Sequence, residues 1–392
     1  MKLLLFTSVK AVHSQKWIRS LVALPSQQKS GLEIHVATFS VAPEDRIPGV
    51  TYHELIPSTK SIQNDKTLPV RQAQSTIASE AWLTFKNGLK FAKRFAEVIQ
   101  NVAPDMVHAH QSVPFGWYAV RGLARSRVKV PLIVSVWGTD VLAYAEQHWL
   151  FRLMNYSVLK HATLLCATSL ALVRAAQRWT RNPRWLVIPF GVDPRLFRQK
   201  KNVAERARVF GMAKQLKFIG TLDVYGFETA LAALKLASQK KSDLILEIAG
   251  SGPKEHYLKK RAQELGVAER VRFLGQVQPQ ALAQVMTRWD ALLLPSRQES
   301  FGVAAVEAAA VGIPVIGARV GGVPEIVREG HTGRLLAPCT PERLAEAMLH
   351  VDASLLKSAH TIGPQLVRER FSWDQSVQRM LRVYTVLTER GA

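Results

Sequence analysis

Two carboxylates stand eight residues apart in RQESFGVAAVEAAAVGIPVIGARVGGVPE, residues 297–325: Glu299 and Glu307, with Ser300, Phe301 and Gly302 between them. The preceding DALLLPS reads as a buried strand, and residues 301–311 read as a helix stopped by Gly312 and Pro314. A helix start presents unpaired backbone N–H groups that suit a phosphate, and Gly302 lets a ligand come close to the backbone. A carboxylate there repels phosphate but accepts hydrogen bonds from sugar hydroxyls. The pattern points to a ligand carrying both phosphate and hydroxyls. Its plain alternative is a first-turn dipole partner at Glu299 and a solvated helix residue at Glu307.

Other residues capable of chemistry sit where apolar runs end. His13 follows KLLLFTSV, His110 closes MVHAH, Asp140 lies in SVWGTDVL, and Gly250 and Gly252 follow DLILEIA. A single histidine at a strand end is more often structural, and the two glycines read equally well as a plain turn. Their shared placement is what open α/β sheets use, since ligands bind outside the carboxyl ends of the strands.

The elements that must position these residues alternate along the chain. KLLLFTSV, EIHVATFS, MVHAH, PLIVSVWG, ATLLCATS and RWLVIPFGV fill the first half; LKFIGTL, DLILEIAGSG, VRFLGQV, DALLLPS, IPVIGA and GRLLAP fill the second. Most are apolar enough to be buried on both faces, as in a parallel sheet covered by helices, and amphipathic stretches such as PERLAEAMLHVD lie between many of them. The fold expected is α/β, two doubly wound parallel-sheet domains facing across a cleft. The first spans 1–195, with a terminal amphipathic helix over 373–392 returning to it; the second spans 196–372 and opens on a charged, poorly periodic linker, RQKKNVAERARVFGMAK.

Composition narrows the class. A chain of 392 residues, 47% hydrophobic, buries more than one ordinary core. Cys166 and Cys339 cannot build a disulfide framework, and no Cys/His cluster or Asp-x-Asp pair has metal-ligand spacing, so no metal is expected. MKLLLFTSVK is too short for a signal h-region, and no run reaches the roughly 18 apolar residues of a membrane span.

The net charge is +22: Lys and Arg outnumber Asp and Glu by 24 to 11 over residues 1–197 and by 28 to 19 over the rest. Such an excess suits a polyanionic partner. In FKNGLKFAKRFAEVIQ, Lys86, Lys90, Lys93 and Arg94 alternate with Phe85, Leu89, Phe91 and Phe95, and VRAAQRWTRNPRW repeats the style with Arg174, Arg178, Arg181 and Arg184 beside two tryptophans. Basic residues with aromatics suit an anionic membrane surface; the plain alternative is a solvated helix face. No helix-turn-helix, zinc-finger or RNA-recognition signature accompanies the charge, which argues against nucleic acid.

Several motifs then fall into one series. VIPFGVDPRLF (residues 187–197), LEIAGSGP (246–253), VRFLGQV (271–277), ESFGVAAVE (299–307), ARVGGVPEIV (318–327) and the terminal FSWDQSVQRMLRVY follow one another in an order and spacing that resemble the retaining glycosyltransferases of family 4, which have the GT-B fold. The resemblance covers nearly the whole chain. It implies a metal-independent transfer of a sugar from a nucleoside diphosphate sugar to a hydroxyl, with no other cofactor. Glu299 would hold the donor sugar, Ser300, Phe301 and Gly302 would meet the sugar or its diphosphate, Glu307 would hold the ribose, and Gly250 and Gly252 would lie near the nucleotide. His13, His110 and Asp140 would face the sugar.

The resemblance also implies a lipid-linked glycan or glycolipid acceptor in the biosynthesis of a bacterial cell-surface polysaccharide such as lipopolysaccharide. It places the protein in the cytoplasm, peripheral at the inner face of the membrane. The sequence departs from the family in three places: Trp137 stands where many members have His, Phe190 where Asn is usual, and Thr221 and Tyr225 where Arg and Lys neutralise the diphosphate. Thr221 would then take the donor contact, and Lys214, Lys217 or Arg297 would have to supply the positive charge. Without such a cation the leaving diphosphate lacks its main stabilisation, and the chain would serve as a binding or scaffold protein at the membrane.

Overall fold

The computed structural model describes residues 1–25, 31–56, 77–199, 202, 208–217 and 222–391. They fall into two compact units, Met1–Pro189 with Ser376–Ala392, and Phe190–Gln375. The break after Pro189 comes earlier than 195/196 because Phe190 packs within the second unit, edge-on to Phe301 at 6.2 Å and tilted against Trp373 at 5.8 Å, and Val192 pairs with Ser372.

The first unit carries β1 (Lys2–Phe6), β2 (Glu33–Thr38), β3 (Thr51–Glu54), β4 (Met106–His110), β5 (Leu132–Val136), β6 (Leu164–Ala167) and β7 (Trp185–Val187). The strands are parallel, in the order β3-β2-β1-β4-β5-β6-β7. Leu3 to Phe6 are fully buried, as a central strand covered on both faces requires. The polar TYHE of β3 escapes a scan for apolar runs because this strand is a partly exposed edge.

Alternate residues of β4 serve opposite faces. Val107 and Ala109 join the core beneath the helices Gly88–Val102, Trp117–Ser126 and Trp149–His161, where Phe6 and Phe95 stack at 4.2 Å. His108 and His110 face Trp17, on the helix Val12–Val22, with ring centroids 6.1 and 5.8 Å away. The helix Trp373–Gly391 contributes Tyr384, whose hydroxyl lies 2.6 Å from His108 Nδ1.

The second unit carries β8 (Val209–Ala213), β9 (Ile245–Ala249), β10 (Val271–Gly275), β11 (Ala291–Leu294), β12 (Val315–Ala318) and β13 (Gly333–Leu336), parallel in the order β10-β9-β8-β11-β12-β13. Its first strand corrects the sequence reading: VFGMA reads as the end of a linker but is the central strand β8. LKFIGTL reads as that strand but lies beyond β8, and its residues 218–221 fall outside the described residues. The short run works because Asp290 Oδ2 accepts the N–H groups of Arg208 and Val209 at 2.9 and 3.0 Å. Among the described residues no helix is long and apolar enough to cross a membrane.

Candidate functional site

In each unit the residues singled out above gather at the carboxyl ends of adjacent strands. In the first, His13 begins the helix after β1, His110 ends β4, and Trp137 and Asp140 follow β5, with β1, β4 and β5 neighbours in the sheet. The Trp137 ring lies 4.8 Å from His110 and 6.1 Å from His13, so the indole neighbours both imidazoles.

His110 is 1% exposed, its Nδ1 has no hydrogen-bond partner among the described residues, and burial pushes its pKa down to about 3. It is therefore a neutral ring near pH 7, able to exchange a hydrogen bond with a hydroxyl but not to act as a cation. Gln111, directly after it, has φ 72° and ψ 139°, a sparsely populated conformation for a residue with a side chain.

Asp140 is a brace. Its Oδ1 accepts the N–H groups of Trp137 and Gly138 at 3.2 and 2.9 Å, and its Oδ2 accepts that of Ser112 at 2.9 Å. Burial pushes the carboxyl above its ordinary range, and these N–H groups act in the opposite sense. Asn155, fully buried on the helix Trp149–His161, donates to Asp140 O at 2.9 Å and accepts the Ser112 hydroxyl. Both oxygens of Asp140 are thus committed to holding the loops after β4 and β5. Asn155 was invisible in sequence because nothing marks it apart from other polar helix residues.

In the second unit, Lys214 follows β8, Gly250 and Gly252 follow β9, Glu299 follows β11, and Gly321 follows β12. Lys214 Nζ donates to Glu299 Oε2 at 2.6 Å, with the two side chains 15% and 11% exposed. The ammonium also lies 5.3 Å from the Tyr225 ring centroid. The turn at Gly250 is laced to the same segment, since Lys214 N–H donates to Ala249 O and Leu216 N–H donates to Ser251 O, and Gly250 N–H itself donates to Gly275 O at the end of β10. A Cβ on Gly250 would meet Lys214 O at 1.9 Å, so the close approach needs glycine.

The loop that carries Glu299 is fixed from both sides. Arg297 N–H donates to Val224 O, while a Cβ on Gly321 would lie 1.4 Å from Glu299 O. The helix that follows runs Val303–Val311, two residues shorter at its start than expected, because Gly302 takes φ 104° ahead of its first turn. Phe301 is buried against Phe190 and Phe371, which explains the aromatic at 190. Ser300 is partly exposed. Glu307 is 7% exposed, not solvated, in the middle of that helix. Thr221 lies outside the described residues.

Lys86 ends the helix Ile77–Lys86, and Lys90 and Lys93 are exposed on the helix Gly88–Val102. Arg94 is turned inward, its guanidinium donating to Leu55 O. Of the interleaved apolar residues, Phe91 and Phe95 belong to the core, whereas Phe85 and Leu89 are exposed. Among the described residues no three His, Cys, Asp or Glu side chains form a group that could hold a metal ion.

Residues 195–357 match the family described as glycosyl transferases group 1, and residues 25–191 match the glycosyl transferase 4-like domain. A D-inositol 3-phosphate glycosyltransferase of Actinosynnema mirum is 32% identical over 307 residues, which are 71% of this chain and 72% of that protein. An N-acetyl-alpha-D-glucosaminyl L-malate synthase of Bacillus anthracis is 24% identical over 308 residues, 76% of this chain and 78% of its own length. Among solved structures, sucrose-phosphate synthase from Thermosynechococcus elongatus superposes with a TM-score of 0.78 at 19% identity over 100% of both chains, a likeness of fold.

Proposed function

Because the chain belongs to the group 1 glycosyltransferases and its parallel doubly wound units have the GT-B fold, we propose that it transfers a sugar from a nucleoside diphosphate sugar to a hydroxyl, with retention at the anomeric carbon. The acceptor proposed is a lipid-linked glycan or glycolipid of a bacterial cell-surface polysaccharide, reached at the inner face of the cytoplasmic membrane through Lys86, Lys90 and Lys93.

The observation that carries this reading is the Lys214–Glu299 pair at the ends of β8 and β11. An ammonium has three N–H donors; with one on Glu299, the others suit the oxygens of a departing diphosphate. Glu299 keeps lone pairs for sugar hydroxyls, Ser300 and the Phe301 and Gly302 amides would meet the sugar or diphosphate, and Glu307 would hold the ribose. Gly250 and Gly252 would border the nucleotide. His13 and neutral His110 would contact the sugar, and Asp140 would keep Trp137 and Ser112 in place. The acceptor oxygen forms its bond to the anomeric carbon on the face from which the diphosphate leaves, and its proton passes to a diphosphate oxygen, so no protein base and no metal is required.

The alternative of an inactive scaffold rested on the missing cation at Thr221 and Tyr225. Lys214 supplies a cation beside Tyr225, which favours the enzyme. Calorimetry with UDP, GDP and their sugars, followed by a turnover screen, tests the reading. Glu299→Gln and Lys214→Met should each lower transfer by roughly a hundredfold or more. Undiminished transfer in Glu299→Gln, or no nucleotide binding by the wild type, would remove the assignment.

A further inference from the structure

The first unit holds a groove of about 940 Å³ between the helix Trp149–His161 and residues 177–184. Five cations line it, Arg152, Lys160, Arg178, Arg181 and Arg184, and among the described residues that line it there is no carboxylate. Glu146, nearby, is engaged by Arg178 at 2.9 Å. On the helix wall Trp149, Leu153 and Tyr156 project on one stripe, 64%, 55% and 52% exposed, while Phe151, Met154 and Asn155 of the same helix are buried. An exposed apolar stripe ringed by cations marks a binding surface rather than an accident of folding.

The other wall is built, not loose. Asn182 Nδ2 donates to Leu159 O and Ala162 O at 3.0 and 3.2 Å, and the indole N–H groups of Trp185 and Trp179 donate to Asn182 O and Val141 O. The Trp179 ring is flanked by two guanidinium groups, Arg152 at 5.2 Å and Arg178 at 5.9 Å from its centroid. Stacking of this kind keeps guanidinium donors spread for planar, multidentate contact with phosphate. The helix Ile77–Lys86 packs against the same helix and adds exposed Trp82 and Phe85 beside Lys86.

We propose that this groove seats the protein on an anionic lipid bilayer. Trp149, Leu153 and Tyr156 enter the headgroup layer, where indole and phenol rings are favoured, and the guanidinium groups of Arg152, Arg178, Arg181 and Arg184 take lipid phosphates. The charge is complementary to a phosphate-rich plane, and the apolar stripe, which includes the aliphatic Leu153, favours a bilayer over a free phosphate or a duplex backbone, neither of which would cover it. This names the partner surface behind the membrane part of the reading above and is independent of its donor chemistry.

The test is co-sedimentation of the full chain with phosphatidylcholine vesicles, with and without phosphatidylglycerol. Wild type should sediment only with the anionic vesicles. The triple variant Arg178→Gln, Arg181→Gln, Arg184→Gln should partition roughly a hundredfold more weakly, and Trp149→Ala with Tyr156→Ala roughly tenfold or more. Both should leave donor turnover on a soluble acceptor unchanged. Tryptophan emission should be quenched by brominated lipid in wild type and less so in Trp149→Phe.

Equal sedimentation of the triple variant, or equal binding to neutral vesicles, overturns the proposal. So does saturation of the groove by inorganic phosphate with no vesicle binding, which would make it a small-anion site. Vesicle binding without any donor turnover would uphold the groove and sink the donor reading instead.

Discussion

Burial sets the charge of the two histidines on β4. His110 is driven to about 3, and His108, held between Tyr384 Oη and Ser135 Oγ, is pushed well below its ordinary value of 6.5 by burial and by His110. Below 6.5 the unfolded chain binds protons that the folded chain refuses. Their contribution is complete above 6.5 and is lost as pH falls below it, for His110 down to about 3, with a slope of up to about 1.4 kcal/mol per pH unit for each ring. Urea midpoints should therefore drop on acidification, and His110→Phe should narrow its gap to wild type as the pH falls. A gap independent of pH would mean that His110 carries a proton in the folded state. The same neutrality would suit His110 to the hydrogen bond with a sugar hydroxyl proposed for it.

Strand ends and the glycines beside them decide where Glu299 points. Gly321, at φ 52°, lies against Glu299 O, so Gly321→Ala must push the 297–300 loop away and separate Glu299 from Lys214. The left-handed backbone adds a cost of about 1–2 kcal/mol. Transfer should fall by roughly a hundredfold, as misplacement on the ångström scale does, while the thermal midpoint moves by only a few degrees. Unchanged turnover would show that the loop does not need this contact.

These elements also explain what the sequence discloses. The acid-bracketed helix start is legible because it combines unusual residues at the end of β11, a short strand whose residues are all apolar and buried. β8 is not, because its five residues include Gly211, required beneath the Trp289 ring, and the neighbouring LKFIGTL is more apolar. Without β8 in view, nothing in the sequence places Lys214 at a strand end, so it stands as one of three candidate cations for the diphosphate and its pairing with Glu299 is not legible. β3 was lost for the opposite reason: an edge strand need not be apolar.

At the scale of the whole chain, the charge of +22 is the term that salt controls. Lys86, Lys90 and Lys93 are exposed beside Trp82, Phe85 and Leu89, so they can reach lipid phosphates, whereas Arg94 is spent on Leu55 O within the fold. Replacing the three lysines by Glu should weaken binding to anionic vesicles at low salt, and replacing Arg94 should cost stability instead. Raising ionic strength from about 0.1 M to about 1 M shortens screening from roughly 10 Å to roughly 3 Å and should release the wild type in the same sense. The aromatic stripe is insensitive to screening, so release by salt should be incomplete while Trp149 and Tyr156 are present and complete once they are removed. Salt release that ignores those two residues, together with retention on DNA, would mean that the charge serves nucleic acid and that the membrane is not its partner.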